Sequence, residues 1–298
     1  MAEKRYGPVR FIPGTGRGKY PYCHSVYVEG AGVLIDPASD REALRRLRDG
    51  PGVRAVWLTH WHEDHWMHLD LFDGVSLCMS REDAPPMADI ETFLDWYGLT
   101  GEFREGREYW RRVMEDRFSF RPRHPDRTLE AGQVLDLGST EVEILHTPGH
   151  TPGHLAFFFR EPGVLFLGDY DLSRFGPWYG DVHSSIPGTV ESVERLRKVP
   201  ARTWITGHEE DGVFEEDPGE RWDLYLDVIR AREEKLLELL DKGSATMADI
   251  VEQRIVYGRP REPQSFFDFN ERLIMVKHLE GLESEGRVVR EKERYRLS

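Results

Sequence analysis

The chain has 298 residues, a formal net charge of −14, and 39% hydrophobic and 11% aromatic residues. This length suits one domain of about 200 residues with a smaller appendage, and the apolar content builds a core and excludes a disordered chain. The acidity speaks against general binding to nucleic acid or anionic membranes, because phosphate contacts need Lys and Arg.

Cys23 and Cys78 are the only cysteines and form no CxxC pair, which reads as reduced thiols. The first residues lack the apolar core of a signal peptide, and no run approaches a membrane span. A cytoplasmic protein without a membrane partner is expected. Residues 26–28 and 33–35 flank Gly30 and Gly32 and predict a β-hairpin. Leu44 and Leu47 among charges predict a short surface helix over 40–48, closed by Gly50-Pro51-Gly52. A strand then runs into Thr59.

The next six residues are His60-Trp61-His62-Glu63-Asp64-His65. Three histidines and an aspartate after an apolar run exceed what packing needs. Imidazole with carboxylate suits zinc or iron. His60 and His62 can point to one side of a tight turn with Asp64 and His65 offset, an arrangement for two adjacent metals. Over 81–125 the apolar residues Ile90, Phe93, Leu94, Trp96, Tyr97, Trp110, Val113 and Met114 recur at helical spacing and predict two helices. Their aromatics suit either a core between helices and body or a lid that selects the substrate.

Residues 129–144 return to strand character. His146-Thr147-Pro148-Gly149-His150-Thr151 follows one apolar run, Gly168-Asp169 a second and Gly207-His208 a third. Strand-end residues of α/β proteins converge on one edge. A Gly, Pro and aromatic loop over 170–183 follows Asp169, and a helix over 189–198 has Thr189 as candidate N-cap. From 220 onward three apolar stripes at helical spacing precede a basic terminal hairpin.

The HxHxDH, TPGHT, GD and GH motifs, in that order over roughly residues 8–212, resemble those of the metallo-β-lactamase superfamily of hydrolases. The resemblance implies an α/β fold, an αββα sandwich over 1–215 with a helical insertion near 81–125. It implies that His60, His62 and His150 hold one divalent metal ion, that Asp64, His65 and His208 hold a second, and that Asp169 bridges them. Zinc is the expected metal, with iron or manganese as alternatives. The segment 220–298 looks like a winged-helix domain, which several such hydrolases carry. Its acidic and basic residues nearly balance, and its third helix carries Glu271, Glu280, Glu283 and Glu285. That pattern argues against DNA reading and for a structural, dimerising or substrate-covering role.

Two ions bridged by a carboxylate can share a water and lower its pKa, so the expected nucleophile is hydroxide oriented by Asp64. The expected reaction is hydrolysis of a small ester, thioester or related carbonyl. His183 and Tyr170 are candidate donors to the leaving group, while His146 and His154 read as packed residues. The lactonase branch places a tyrosine three residues after the bridging aspartate, where this chain has Leu172. The glyoxalase II branch shares HTPGHT and GD but continues differently from Tyr170-Asp171-Leu172. An endoribonuclease-type phosphodiesterase and a non-haem iron redox enzyme of the same fold are the alternatives. A small-molecule substrate, no nucleic acid and a homodimer are the expected partners.

Overall fold

The structure is a computed structural model that describes residues 1–209 and 212–298. In chain order the first half contains β1 (Lys4–Tyr6), β2 (Val9–Ile12), β3 (Ser25–Val28), β4 (Val33–Ile35), α1 (Arg41–Asp49), β5 (Ala55–Trp57), β6 (Ser76–Met79), α2 (Ala84–Ala88), α3 (Ile90–Trp96), α4 (Arg107–Asp116) and β7 (Arg127–Thr128). Then follow β8 (Val134–Asp136), β9 (Glu141–His146), β10 (Leu155–Phe159), β11 (Val164–Phe166), α5 (Ile186–Leu196), β12 (Thr203–Ile205) and β13 (Val213–Phe214). The last part holds α6 (Arg221–Asp241), β14 (Ala245–Thr246), α7 (Met247–Glu252), α8 (Gln264–Ser284), β15 (Val288–Glu291) and β16 (Arg294–Leu297).

One sheet runs β1-β2-β3-β4-β5-β6-β7 and a second runs β13-β12-β11-β10-β9-β8. Side chains alternate across each strand, so each sheet offers two apolar faces. Phe11, Val26, Ile35 and Trp57 of the first sheet meet Ile144, Phe157, Phe159 and Phe166 of the second. The opposite face of the first sheet, with Leu34, Val56 and Leu77, packs on Leu44 and Leu47 of α1 and on Phe93 of α3. The opposite face of the second, with Phe158, Leu165 and Trp204, packs on Val193 of α5 and Trp222 of α6. The result is helix, sheet, sheet, helix. Both sheets need helices outside because both faces of their central strands are apolar.

Parallel pairing places the site. β4 and β5 are parallel, as are β11 and β12. Each pair therefore delivers two carboxyl ends at the same edge, one pair from each sheet. The turns that leave these ends carry Asp36, His60, Asp169 and His208.

Two local expectations change. The helix predicted over 189–198 spans Ile186–Leu196, and its N-cap is Ser185, whose side chain accepts from the Gly188 amide. Pro187 sits in the first turn, where its missing N–H leaves no bond unmade. Residues 81–125 hold three helices rather than two. The extra one is α2, which tolerates Pro85 and Pro86 because they too lie in its first turn. The HxHxDH run itself ends in a short 3₁₀ turn, 63–65, and a second, 69–72, follows it.

The C-terminal helices and a three-stranded sheet ordered β14-β16-β15 close around Ile229, Leu236, Ile250, Ile274 and Leu279. Both cysteines are free and buried. Among the described residues no helix is long and apolar enough to cross a membrane.

Candidate metal centre

Two groups of donor atoms converge where the sheet edges meet. In the first, Nε2 of His60 and Nε2 of His150 each lie 2.9 Å from Nδ1 of His62, and 3.2 Å from each other. Oδ2 of Asp169 lies 3.3 Å from His150 Nε2 and 3.9 Å from His60 Nε2. In the second, Oδ1 of Asp169 is 2.7 Å from His65 Nε2 and 3.4 Å from His208 Nε2. Oδ2 of Asp64 is also 3.4 Å from His208 Nε2. All seven residues that the sequence singled out as ligands are thus brought together, with one oxygen of Asp169 turned to each group.

The outward nitrogens of these rings are tied down. His62 Nε2 lies 2.7 Å from Asp181 Oδ2, and His150 Nδ1 donates to the Trp178 carbonyl at 3.0 Å. His65 Nδ1 lies 2.8 Å from Asp36 Oδ2. His208 Nδ1 donates to the Gly18 carbonyl at 2.6 Å and lies 3.1 Å from that of Tyr22. The Thr59 hydroxyl donates to Asp36 Oδ2 and so presents a lone pair to His60 Nδ1, 2.9 Å away. Each ring carries a proton on its outer nitrogen when neutral, which leaves a lone pair facing inward.

The donors fit divalent ions. Three lone pairs and a carboxylate at close range repel one another unless a cation lies between them. Tetrahedral zinc with bonds of about 2.0–2.1 Å needs ligand atoms about 3.3 Å apart, and the distances above bracket that value. His65 Nε2 and Asp169 Oδ1 are buried and near each other, yet they are not aligned for a hydrogen bond.

The electrostatics point the same way. Burial works against charge on His65 and His208, but Asp169 with the other nearby acids outweighs it and holds both well above the usual imidazole range. Burial likewise opposes the Asp169 charge, yet His65, His208, His60 and His150 together hold that carboxyl well below its usual value. The same neighbourhood leaves His60 neutral: burial and the adjoining histidines press its pKa well down.

The glycines of the GD and GH motifs are steric requirements. Gly168 has φ +58°, and a Cβ there would lie 2.5 Å from His154 Nε2. A Cβ at Gly207 would lie 2.9 Å from Asp169 Oδ1. His154 itself is fully buried, and its Nε2 accepts from the Asp169 amide at 3.1 Å. It holds the shared carboxylate from behind. Asp83 accepts from Thr151 Oγ1 and the Gly153 amide, which pins the turn that carries His150.

Two sequence-derived candidates lie elsewhere. The Tyr170 ring is fully buried, and its hydroxyl donates toward the Thr147 and Pro148 carbonyls at 2.9 and 3.1 Å. Next to Asp169 in sequence, it points the other way because Gly168 and Asp169 form a turn, closed by the Tyr170 amide on the Leu167 carbonyl at 3.4 Å. His183 is exposed and packs its ring on Trp96 at 4.4 Å. Neither lines the cavity over the donors.

That cavity measures about 480 Å³. His62, Asp64, His150, Asp169 and His208 form its floor. Its walls include Tyr20 of the N-terminal loop, Tyr97 after α3, Phe175 and Trp178 of the loop after Asp169, Tyr225 of α6, and Tyr257, Arg261, Phe266 and Phe267 before and at the start of α8. The Arg261 guanidinium lies 5.4 Å from the Tyr257 ring centroid and 5.7 Å from that of Phe267. The aromatic stripe of 81–125 divides. Phe93 is almost fully buried and Trp96 and Trp110 pack against the same core, while Tyr97 reaches the cavity. Its hydroxyl and that of Tyr20 both donate to Glu63 Oε1.

Sequence reasoning missed Asp36, Asp181, Asp83 and Glu63 as supports of the site. Asp36 carried a readable signal, since it ends a strand as Asp169 does. Asp181 carried none.

Residues 20–208 match the metallo-beta-lactamase superfamily. The chain belongs to that superfamily. An acyl-coenzyme A thioesterase MBLAC2 of Gallus gallus is 30% identical over 180 residues, 59% of this chain and 59% of that protein. A hydroxyacylglutathione hydrolase of Thermosynechococcus vestitus is 30% identical over 180 residues, 59% of this chain and 57% of that protein. The chain thus spans less than two thirds of the length of these curated relatives. A solved metallo-beta-lactamase family protein of Thermus thermophilus is similar throughout, with 27% identity, 98% of this chain and 99% of that one covered, and a TM-score of 0.71. A beta-lactamase domain protein of Burkholderia ambifaria shares the fold at 20% identity, covering 99% and 93%, with a TM-score of 0.69.

Proposed function

We propose that this protein is a dinuclear metal-dependent hydrolase of a small carbonyl substrate, with a thioester of an anionic thiol as the leading class. The observation that carries the reading is the double set of inward-facing donors sharing Asp169 on the floor of one cavity. His60, His62 and His150 would hold one ion, Asp64, His65 and His208 the other, and Asp169 would bridge them. Zinc suits this donor set, and iron or manganese use the same nitrogens and oxygens.

When bound, the two ions supply a water acidified toward hydroxide and Lewis acidity toward the carbonyl oxygen. Asp64 faces the cavity and would accept a hydrogen bond from the attacking water, which aims its lone pair at the carbonyl carbon. Tyr97, Phe266 and Phe267 give an apolar wall for the acyl group. Arg261, held between two rings, offers a cation for an acidic group on the leaving thiol.

The leaving group separates thioesters from the other carbonyl classes. A thiol of pKa about 8.5 leaves as thiolate without a proton, whereas an alkoxide or amine needs one. Tyr170 and His183 are turned away from the cavity, which favours the leaving group that needs neither. Acyl-coenzyme A and hydroxyacylglutathione, which the two relatives' names specify, are both thioesters of anionic thiols. Among the described residues the cavity's acidic lining, Asp64, Asp169, Asp171 and Glu209, is accompanied by the cations Lys19 and Arg261, a poor track for a polynucleotide.

The test is a substrate panel of acyl-coenzyme A, acylglutathione, aryl esters, lactones, phosphodiesters and short RNA. It is run with the metal content counted by mass spectrometry. Thioester turnover that needs two ions and exceeds the other classes is expected. RNA cleavage above thioester turnover would replace this reading with the phosphodiesterase. A single iron with an oxygen-consuming reaction would replace it with the redox enzyme.

A further inference from the structure

Arg232 on α6 is a buried cation in the C-terminal part. Only 2% of its surface is exposed. Its Nη1 donates to the Pro177 carbonyl at 2.8 Å and to the Tyr179 hydroxyl at 3.0 Å, and its Nη2 donates to the Phe175 carbonyl at 2.7 Å. The guanidinium also lies over the Phe175 and Tyr179 rings, at 5.0 and 5.5 Å. One side chain thus grips three alternate residues of a single loop. Tyr179 is gripped a second time, by His278 Nε2 of α8 at 3.0 Å. Gly176 of this loop sits so close to α6 that a Cβ would lie 2.5 Å from Val228.

The gripped residues interleave with those that orient the first donor group. Trp178, between Pro177 and Tyr179, supplies the carbonyl that accepts from His150 Nδ1. Asp181, two residues past Tyr179, supplies the carboxylate on His62 Nε2. The second group has no anchor in this loop's gripped stretch, since His65 is held by Asp36 and the His208 ring by Gly18 and Tyr22. We propose that Arg232 is a positioning residue for the first ion: it locks residues 175–179 so that Trp178 and Asp181 hold His150 and His62 with their lone pairs converged. The C-terminal helices thereby set the affinity of one of the two metal positions and leave the other to the N-terminal half. This inference rests on the two-ion reading above.

The physical reason for using arginine is its planar fork. Five fixed donors can satisfy several carbonyls at once, which an ammonium on a flexible stem does less well. Here two carbonyls and a phenol, spaced along five residues, are enough to fix the loop's path.

The experiment is zinc binding to the metal-stripped full chain, with ions counted and affinities measured for wild type, R232M, R232K and Y179F. Folding is checked by circular dichroism. Loss of an outer partner of a ligating histidine weakens a metal about 10–100-fold. R232M is therefore expected to keep one tight zinc and bind the other about 10–100-fold more weakly. R232K recovers part of the difference, and Y179F shows a smaller loss at the same position. Thioester hydrolysis should fall in parallel and return with excess zinc. Two zinc ions at wild-type affinity in folded R232M, or an equal weakening of both ions across the series, overturns the proposal. If R232M does not fold, R232K and Y179F decide by the same criterion. Fewer than two ions in the wild type would instead overturn the two-ion reading itself, so the two failures are distinguishable.

Discussion

His62 and His150 lean on Asp181 and the Trp178 carbonyl, both in the loop after Asp169, whereas His65 and His208 lean on Asp36 and on the Gly18 and Tyr22 carbonyls. The two donor groups share Asp169, and the His60 and His65 rings also meet at 4.1 Å with Thr59 and Asp36 behind both. Yet the supports of His62 and His150 come from a different part of the chain than those of His65 and His208. One set is braced by helices that lie beyond the family-matched segment, the other by the first sheet and the N-terminal loop. The comparison teaches that a shared carboxylate need not mean a shared scaffold. Two metal positions about one residue can be tuned separately, because a ligand's affinity depends on what fixes its far nitrogen.

The largest effect should come from the shared residue. Asp169→Asn removes the anion from both groups at once, so zinc analysis of the purified variant should find both positions weakened. Thioester turnover should fall by more than the roughly 100-fold that losing an outer partner costs. A variant that keeps one tight ion would show that Asp169 serves one group only.

Separating the groups gives the next effect. Asp181→Asn should weaken the first ion alone, whereas Asp36→Asn should weaken chiefly the second, whose His65 it holds directly, and to a lesser degree the first, through Thr59 and His60. The main effect in each case is about 10–100-fold. Competition with a chelator, read as two dissociation steps, distinguishes them. Identical profiles for the two variants would erase the contrast between the scaffolds.

Stability divides the insertion in the same spirit. Phe93→Ala should cost about 3–5 kcal/mol, since its ring is nearly fully buried in the core. Tyr97→Phe removes only a hydroxyl that donates to Glu63. It should leave denaturant stability within about 1.5 kcal/mol while changing the ratio of rates on short and long acyl thioesters. A large stability loss with an unchanged ratio would return Tyr97 to the core with Phe93.

The smallest effect is a pH slope. Burial, followed by the nearby Arg232 charge, lowers His278 to about 3. The unfolded chain then binds a proton that the native state refuses. Stability from this group is whole above the unfolded value of about 6.5 and declines as pH falls from there toward 3. Urea unfolding at several pH values should show the decline, and His278→Gln should flatten it. An equal slope in both proteins would assign the acid sensitivity to other groups.

Much of the floor of the site was legible in the chain because its ligands are local in sequence. His60, His62, Asp64 and His65 lie in one turn, and the others each follow an apolar run, so periodicity alone places them at strand ends. The αββα layering was implied by the resemblance of the motifs, and its physical ground is visible in the fold: strands such as Leu155–Phe159 are buried along their whole length and need cover on both faces. The proton donors were not legible. Tyr170 stands beside Asp169, but the turn at 168–169 sends its hydroxyl to the Thr147 carbonyl, and His183 is carried outside by its loop.

Sequence by itself determined which candidate ligand residues gather, because metal chemistry selects residue types and strand ends bring them to one edge. Tertiary structure alone decided what holds those atoms. Asp181 reaches His62 across 119 residues of sequence, and Arg232 reaches Phe175 across 57. Neither separation leaves any pattern in the chain, since an aspartate in a loop and an arginine on a helix are each ordinary until folding brings a lone pair opposite a donor. The cavity walls follow the same rule: Tyr20, Tyr97 and Arg261 meet above the donors only because the fold brings three distant segments to one rim.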